Sequence, residues 1–256
     1  MNGSAVHLRG RANLDALLEA LDRAAGLFGA DEVVFSGTSA GGLATYLHAS
    51  YVKSRLRRGA RLFAAPDAGF FLSSGTFQNA SDFAFARAMA GAYDLWNASL
   101  GGAGARCVAA NAAAPSRCLF AEHVYPFLDD IDGAWVINSL VDPSQLRVCF
   151  GLDCELGATC SPAQQAAALA YAARLQRAIE AAAATFGARD GYFLTSCAHH
   201  EQSCRFEDWY GVRVGGASPN ASFAAFVRGA GARARAVDVQ WPGDASCWAG
   251  PLHGGC

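Results

Sequence analysis

The amino-acid sequence predicts an α/β fold in which helices cover both faces of a mostly parallel β-sheet. Two observations support this prediction. Short apolar runs of strand length alternate along the chain with segments whose apolar residues recur at helical spacing. The 256 residues are 52% hydrophobic and 16% charged, so the chain can bury a sizeable core and is not a disordered tail. No internal repeat or linker stands out, and we expect one domain over residues 1–256.

The first elements are predicted from short-range patterns. Residues 13–28 place leucines at helical spacing between charged residues, which indicates an amphipathic helix with Asn13 as its N-cap. Residues 32–36 are predicted to be a short buried strand. A helix over 42–56 and a second strand over 60–67 complete the first βαβ unit.

The rest of the chain continues this alternation after an ambiguous stretch. Residues 70–118 are rich in glycine, alanine and serine with scattered aromatics, and their pattern predicts no firm element. Pro162 lies near the start of a long alanine-rich helix, where its missing N–H costs nothing. The remaining predictions are a strand at 134–139, that helix at 161–186, a strand at 191–196, a glycine-broken helix at 222–234 and a short strand at 234–240.

The nine cysteines indicate disulfides formed in an oxidising compartment. No Cys-x-x-Cys pair occurs, so the spacing is not typical of zinc, and the odd count leaves one thiol without a partner in this chain. Asn-x-Ser sequons begin at Asn2, Asn79, Asn97 and Asn220, which favours a secreted or cell-wall protein. The first residues do not form a signal peptide, so we expect any secretory signal to lie upstream.

Charge and composition exclude several classes of function. A net charge of about −2 argues against a general nucleic-acid partner, and no run of 18 apolar residues predicts a membrane span. Lys53 is the only lysine, so a Schiff-base mechanism has one candidate at most. No Walker-type Gly-Lys-Ser/Thr sequence is present.

A Gly-x-Ser-x-Gly sequence stands between the first predicted strand and the helix that follows it. Gly37-Thr38-Ser39-Ala40-Gly41 has the context of a nucleophile elbow, in which we expect side chains at both glycine positions to clash with nearby backbone. Ser39 is therefore predicted to be a nucleophile, and the Ala40 N–H at the helix start is predicted to stabilise an oxyanion. The alternative is a Gly/Ser-rich turn that matches the pattern by chance.

A serine nucleophile needs a general base and an acid that orients the base. In the α/β-hydrolase-like class these partners follow later strands in the order acid, then histidine. Asp142 comes after the third predicted strand, although it is also typical of a turn cap, and Asp67 after the second strand is a rival acid. His199 and His200 both follow the fourth strand and compete as the base. His123 and His253 are expected at the surface or in packing, and His7 and His48 do not follow a predicted strand.

These motifs resemble the pectin acetylesterase/Notum family of serine carboxylesterases. The resemblance selects Asp142 as the acid, His200 as the base and Asp67 as a structural residue, in an α/β-hydrolase-like fold. It implies O-acetyl esters on a cell-wall polysaccharide such as pectin as substrate, and no metal or organic cofactor. The blocks that carry it are SGTSAGGLA (36–44), PDAGFFL (66–72), WVINSLVDPSQL (135–146) and SCAHHEQ (196–202).

Two departures from the family pattern lead to further expectations. Family members carry a long preceding region with a Gly-Gly-Trp segment that supplies other oxyanion-hole amides, and residues 1–30 do not match it. The chain is thus expected to be the C-terminal part of a family domain, without the first strands and with weakened activity. Plant-type members have a cysteine directly after the histidine. Here Glu201 follows and Cys204 is the next cysteine, so we expect a different pairing near the base.

Three alternatives to a polysaccharide esterase stay open at the sequence level. A Notum-like enzyme would remove a lipid acyl chain from a secreted protein and would need a deep apolar pocket. A hydrolase-like domain without catalysis would only bind a glycan or lipid. Thiol chemistry at Cys197, beside the two histidines, is a third possibility. The aromatic residues that could line a pocket, or simply belong to the core, are Phe70, Phe71, Trp96 and Trp135.

Overall fold

In the computed structural model, five strands form one parallel sheet in which neighbours along the chain are neighbours in space. The structure describes residues 8–96, 98, 102–229, 234–243 and 247. The parallel pairing of these strands confirms the predicted parallel sheet. The strands are β1 (Glu32–Thr38), β2 (Arg61–Asp67), β3 (Gly133–Ser139), β4 (Gly191–Thr195) and β5 (Arg235–Val237).

Helices connect the strands and supply most of the remaining regular structure. No firm element was predicted over residues 70–118, and the described part of this range contains two helices and most of a 3₁₀ turn. The α-helices of the described residues are α1 (Gly10–Ala25), α2 (Ala40–Arg55), α3 (Ala84–Leu95), α4 (Ala103–Ala110), α5 (Ala121–Val124), α6 (Pro143–Val148), α7 (Pro162–Ala184), α8 (Phe206–Gly211) and α9 (Pro219–Val227). Short 3₁₀ turns lie at Leu27–Gly29, Pro115–Leu119, Tyr125–Phe127 and Gly187–Arg189.

The hydrophobic core lies on both faces of the sheet because side chains alternate along each strand. Leu62 of β2 belongs to a cluster that also contains Tyr46 of α2 and Leu175 of α7. The next residue, Phe63, points to the other face and contacts Phe226 of α9 with ring centroids 5.4 Å apart. The predicted placement of helices on both faces thus agrees with the structure.

Two predictions near the amino end are wrong in detail. Helix α1 begins at Gly10 with Arg9 at its N-cap, and the Asn13 N–H donates to the Arg9 carbonyl as part of the helix. Asn13 therefore lies inside the helix and does not cap it. Strand β1 is not buried: it is an edge strand of the described sheet, and the Val34 side chain is 44% exposed. A short apolar run cannot reveal how many neighbours a strand has.

Disulfides account for most of the described cysteines. The bonded pairs are Cys107–Cys118, Cys154–Cys160 and Cys197–Cys247, and Cys204 is also disulfide-bonded. The hypothesis of thiol chemistry at Cys197 is therefore wrong. Cys149 is free and buried, and burial raises the pKa of its thiol far above the usual range. Within the described parts of the chain, no helix combines the length and apolarity needed to cross a bilayer.

Helix α7 allows a test of the predicted helix start. The Ser161 hydroxyl accepts from the Gln164 N–H at 3.3 Å, and the Gln164 side chain accepts from the Ser161 N–H at 2.8 Å, which forms a capping box. Ser161→Ala should lower the free energy of unfolding by about 1 kcal/mol, measured by urea denaturation, whereas Ser161→Asp should retain most of it. Equal losses in both variants would show that the cap does not contribute.

Candidate active site

Ser39 lies at the sharp turn between β1 and α2. Its backbone has φ 54° and ψ −117°, a conformation that costs energy for a residue with a side chain. The Ser39 N–H donates to the Asp67 carbonyl at 2.9 Å, and the Ser39 carbonyl accepts from the Leu43 N–H at 3.0 Å. Hydrogen bonds thus hold the backbone of Ser39 through both its N–H and its carbonyl. The serine hydroxyl takes no part in these backbone bonds and can contact other side chains.

The glycine requirement of this turn is only partly as predicted. A Cβ atom at Gly37 would lie 2.4 Å from the Gly41 carbonyl oxygen, so Gly37 does exclude a side chain. At Gly41, however, a Cβ atom would have no neighbour within 4 Å, and the prediction of a clash there is wrong. The second crowded position is Gly42, where a Cβ atom would lie 2.5 Å from the Asp67 carbonyl oxygen. Gly42 allows the start of α2 to approach the end of β2.

His200 bridges the serine and an aspartate. Its Nε2 lies 2.8 Å from the Ser39 Oγ, and its Nδ1 lies 2.7 Å from the Asp142 Oδ2. A neutral ring with its proton on Nδ1 donates to Asp142 and leaves Nε2 as an acceptor for the serine hydroxyl. This arrangement can remove the hydroxyl proton from Ser39.

The two carboxylate oxygens of Asp142 have different partners: one caps a helix and the other contacts His200. It is the N-cap of α6, where Oδ1 accepts from the backbone N–H groups of Ser144 at 2.8 Å and Gln145 at 3.1 Å. Oδ2 is left for His200. Asp142 is only 1% exposed, so these bonds are shielded from water. The two expectations for Asp142, a turn cap and a partner of the histidine, are therefore compatible.

Electrostatics around His200 favour its protonated form. Burial lowers the pKa of His200, but the hydrogen bond and the negative charge of Asp142 raise it, with smaller contributions from Glu201 and Asp67, and the net shift is upward. A histidine in this setting is a stronger base than an isolated imidazole, and its charged form is stabilised once it has taken a proton.

The rival candidates do not form these side-chain hydrogen bonds. The His199 Nδ1 is 3.3 Å from the Asp208 Oδ1 of α8, so its ring faces away from Ser39. The Asp67 carboxylate accepts from Ser203 and does not contact the His200 ring. Of the other histidines, burial lowers the pKa of His48 in α2 and of His123 beside Glu122. His7 and His253 lie outside the described residues.

Ala40, predicted as an oxyanion donor, lies at the start of a helix. Ala40 is the first residue of α2 and directly follows Ser39. The first amides of a helix have no intrahelical acceptor, and the helix dipole favours negative charge in front of them. An oxygen that develops negative charge next to Ser39 would therefore meet a donor at this end of α2.

The aromatic candidates fall into two groups. Phe70 and Trp135 are fully buried core residues: Phe70 contacts Tyr46, and the Trp135 indole donates to the Ser222 hydroxyl at 3.2 Å. For these two the core interpretation is correct. Phe71 is half-buried against Phe85, and Trp96 at the end of α3 is 46% exposed.

Two residues of the histidine loop (residues 196–204) were not found by sequence reasoning as parts of the site. The Glu201 carboxylate comes within 4.0 Å of the His200 Nε2, and Glu201 has a left-handed backbone with φ 63°. Ser203 binds Asp67 through its backbone and its hydroxyl. Their only sequence signal was nearness to His200. Among the described residues, no cluster of three histidine, cysteine or acidic side chains has the arrangement of a metal site.

A parallel sheet that carries a strained serine turn between a strand and a helix defines a protein of the α/β-hydrolase-like class. Within that class the chain belongs to the pectinacetylesterase family, because a sequence model of this family matches residues 1–248. No match is found among curated protein sequences.

Solved structures show the same fold. Two crystal forms of the Wnt deacylase Notum from Drosophila are similar to this chain, each with a TM-score of 0.73. The sequence identities are 20% and 21%, and the similarity covers 90% and 89% of this chain. It covers 62% of each Notum chain, so this chain spans less than two thirds of the length of these relatives.

The two adjacent glycines at the start of α2 provide a matched pair of variants. Gly42→Ala should lower the free energy of unfolding by about 1–3 kcal/mol, because its Cβ atom would clash with the backbone of β2 and Gly69. Gly41→Ala has open space and should be neutral or stabilise the helix by up to about 1 kcal/mol. Urea denaturation measures both, and equal destabilisation would contradict this description of the turn.

Proposed function

We propose that the chain is a serine carboxylesterase that hydrolyses O-acyl esters through an acyl-enzyme. Ser39 is the nucleophile, His200 the general base, Asp142 the residue that orients the base, and Ala40 a donor to the oxyanion. The observation that carries the proposal is the pair of hydrogen bonds of His200, 2.8 Å to the Ser39 Oγ and 2.7 Å to the Asp142 Oδ2.

The first half of the reaction forms the acyl-enzyme. His200 takes the proton of the Ser39 hydroxyl as the oxygen attacks the ester carbonyl carbon. The carbonyl oxygen becomes negatively charged and accepts from the Ala40 N–H. When the tetrahedral intermediate collapses, the alcohol leaves with the proton that His200 carried. Asp142 stabilises the imidazolium during this time, because its Oδ2 already contacts the Nδ1–H.

The second half releases the acid. A water molecule attacks the acyl carbon while His200 accepts one of its protons, and that proton returns to the Ser39 oxygen as the carbon–oxygen bond breaks. The serine and the neutral histidine are restored. All these steps use the same His200 Nε2, which lies next to the Ser39 Oγ.

Membership of the pectinacetylesterase family supports acetyl esters of a cell-wall polysaccharide as substrate. The disulfides of the chain support an extracellular or cell-wall location, since such bonds persist in oxidising compartments. Hydrolysis of acetylated pectin, compared with a long-chain acyl ester, tests this choice. Preference for the long chain would instead favour the alternative of a lipid deacylase. The Drosophila relative is described as a deacylase.

Substitution of the nucleophile tests the proposed chemistry. Ser39→Ala should lower kcat for p-nitrophenyl acetate by about 10⁴-fold or more, because no acyl-enzyme can form. Ser54→Ala, at an exposed serine near the end of the same helix, should keep the wild-type rate. Undiminished activity in Ser39→Ala would refute the serine mechanism. Inactivity of both the parent chain and a version extended upstream would favour a binding protein without catalysis.

The pH dependence of kcat/KM tests the role of His200. The base acts only when neutral, so activity should rise with pH through a midpoint above about 6.5, the ordinary histidine value. Its pKa is raised because Asp142 and Glu201 outweigh the effect of burial. Glu201→Gln should move the midpoint to lower pH by removing one of these charges. Asp142→Asn should also lower it and reduce kcat by about 10⁴-fold.

His123→Gln is the control for these profiles, because His123 lies beside Glu122 and is not hydrogen-bonded to Ser39 or Asp142. It should leave the midpoint where it is in the parent chain. If the midpoint shifts in His123→Gln and stays constant in Glu201→Gln, the titration belongs to a histidine other than His200.

A further inference from the structure

Asp67 lies at the sheet edge that carries the site. It ends β2 and is paired in register with Thr38 of β1 on one side and Ile137 of β3 on the other. Its side chain is completely buried. Carboxylates are seldom buried unless hydrogen bonds or charges compensate for lost water, so the partners of Asp67 indicate what it does.

The backbone of Asp67 and its neighbour connects the serine turn to the aspartate helix. The Asp67 carbonyl accepts from the Ser39 N–H at 2.9 Å. The next residue, Ala68, has a left-handed φ of 50°, and its carbonyl faces the Gln145 side-chain amide at 3.3 Å. Gln145 lies in α6, which Asp142 caps. Residues 67 and 68 therefore contact both the serine turn and the element that holds Asp142.

The side chain of Asp67 contacts the histidine loop. Its Oδ2 accepts from the Ser203 N–H at 2.6 Å and from the Ser203 hydroxyl at 2.7 Å. Burial raises the pKa of Asp67, while these donors and the Gln202 N–H lower it. Ser203 is three residues after His200, so Asp67 fixes the far end of the segment that carries the base.

The histidine loop needs such a contact because it starts far from Ser39. Strands β1 and β4 are separated by two others, which corresponds to about 14 Å at the usual strand spacing of about 4.8 Å. The start of the loop is fixed near β4, where the Cys197 N–H donates to the Thr195 hydroxyl at 3.1 Å and Cys197 is bonded to Cys247. Its end is fixed on β2 by Asp67. His200 lies between these two anchors.

We propose that Asp67 is a positioning residue for the esterase reaction: its backbone holds Ser39, its carboxylate holds Ser203, and together they set the contact between the Ser39 hydroxyl and the His200 ring. The inference rests on the proposed function. The carboxylates that face His200 are Asp142 of the α6 start, Glu201 of the histidine loop and Asp67 of β2. Burial lowers the pKa of His200, and these three raise it.

A second buried carboxylate provides a matched control. Asp190 is 1% exposed and accepts from the Ala134 N–H at 2.9 Å and the Tyr125 hydroxyl at 3.0 Å. It immediately precedes β4, so it lies at the opposite edge of the sheet from Ser39. If Asp67 contributed only to stability, Asp67→Asn and Asp190→Asn would have similar effects.

The experiment measures kcat, KM and the pH profile of kcat/KM with p-nitrophenyl acetate, together with the melting temperature. Asp67→Asn should lower kcat by about 10- to 100-fold with little change in KM, because a small displacement of the base impairs proton transfer. The midpoint at which kcat/KM rises with pH should move to lower pH in Asp67→Asn. Ser203→Ala should reduce kcat less than Asp67→Asn does. If Asp67→Asn does not fold, Ser203→Ala still tests the contact between Asp67 and Ser203. Asp190→Asn should lower only the melting temperature.

The proposal is overturned if folded Asp67→Asn keeps the parent kcat and midpoint, or if Asp190→Asn changes both as much. Inactivity of both the parent chain and a version extended upstream would instead refute the proposed function. In that case NMR titration of the His200 ring, identified by the signal missing in His200→Gln, still tests the inference. The pKa of His200 should fall in Asp67→Asn and stay constant in Asp190→Asn, and an unchanged pKa in Asp67→Asn would overturn the proposal.

Discussion

Parallel pairing of the strands is the constraint on which the rest of the site depends. Because β1 to β4 run in the same direction, their carboxyl ends meet at one edge of the sheet, and the segments after β1, β3 and β4 carry Ser39, Asp142 and His200. Strands β2 and β3 lie between β1 and β4, so the loop that carries His200 must extend across the sheet edge to reach Ser39. The loop passes the end of β2, where Asp67 is hydrogen-bonded to Ser39 and to Ser203.

Close packing of backbone against backbone allows this arrangement. Gly42 and Gly69 are the positions at which α2 approaches the segment after β2, and a Cβ atom at Gly69 would lie 2.3 Å from the Gly42 carbonyl carbon. The approach brings the strained Ser39 backbone within hydrogen-bond distance of the Asp67 carbonyl. The cost of the strain, of order 1–3 kcal/mol, is offset by the surrounding contacts.

Burial of charge gives the site its electrostatic character. The buried Asp142 carboxylate accepts hydrogen bonds from two backbone N–H groups at the start of α6 and contacts the His200 ring, and these contacts compensate for lost water. The same carboxylate thus completes a helix start and increases the basicity of the histidine. The contact would be less effective at the surface, where water weakens charge–charge interactions.

The amino-acid sequence by itself determined the order of the five strands, the long helix between the third and fourth strands, and the serine turn. It also limited the partners of the serine to an acid and a histidine after later strands. These features depend on residues close together in the chain. Residues 191–196 were predicted as a strand and β4 spans Gly191–Thr195; residues 161–186 were predicted as a helix and α7 spans Pro162–Ala184. Placement after the third strand already favoured Asp142 over Asp67, and resemblance to the family then selected Asp142. The resemblance also selected His200 over His199, which placement after a strand could not do.

Only the tertiary structure decided which side chains meet. His199 and His200 are adjacent in sequence, yet one ring faces Asp208 and the other Ser39, because the path of the loop depends on contacts with β2 and the Cys197–Cys247 disulfide. The exposure of β1 and the open space at Gly41 likewise depend on neighbours distant in the chain. Local patterns encode backbone conformation, whereas the direction and surroundings of a side chain are set by contacts that form only when distant segments pack.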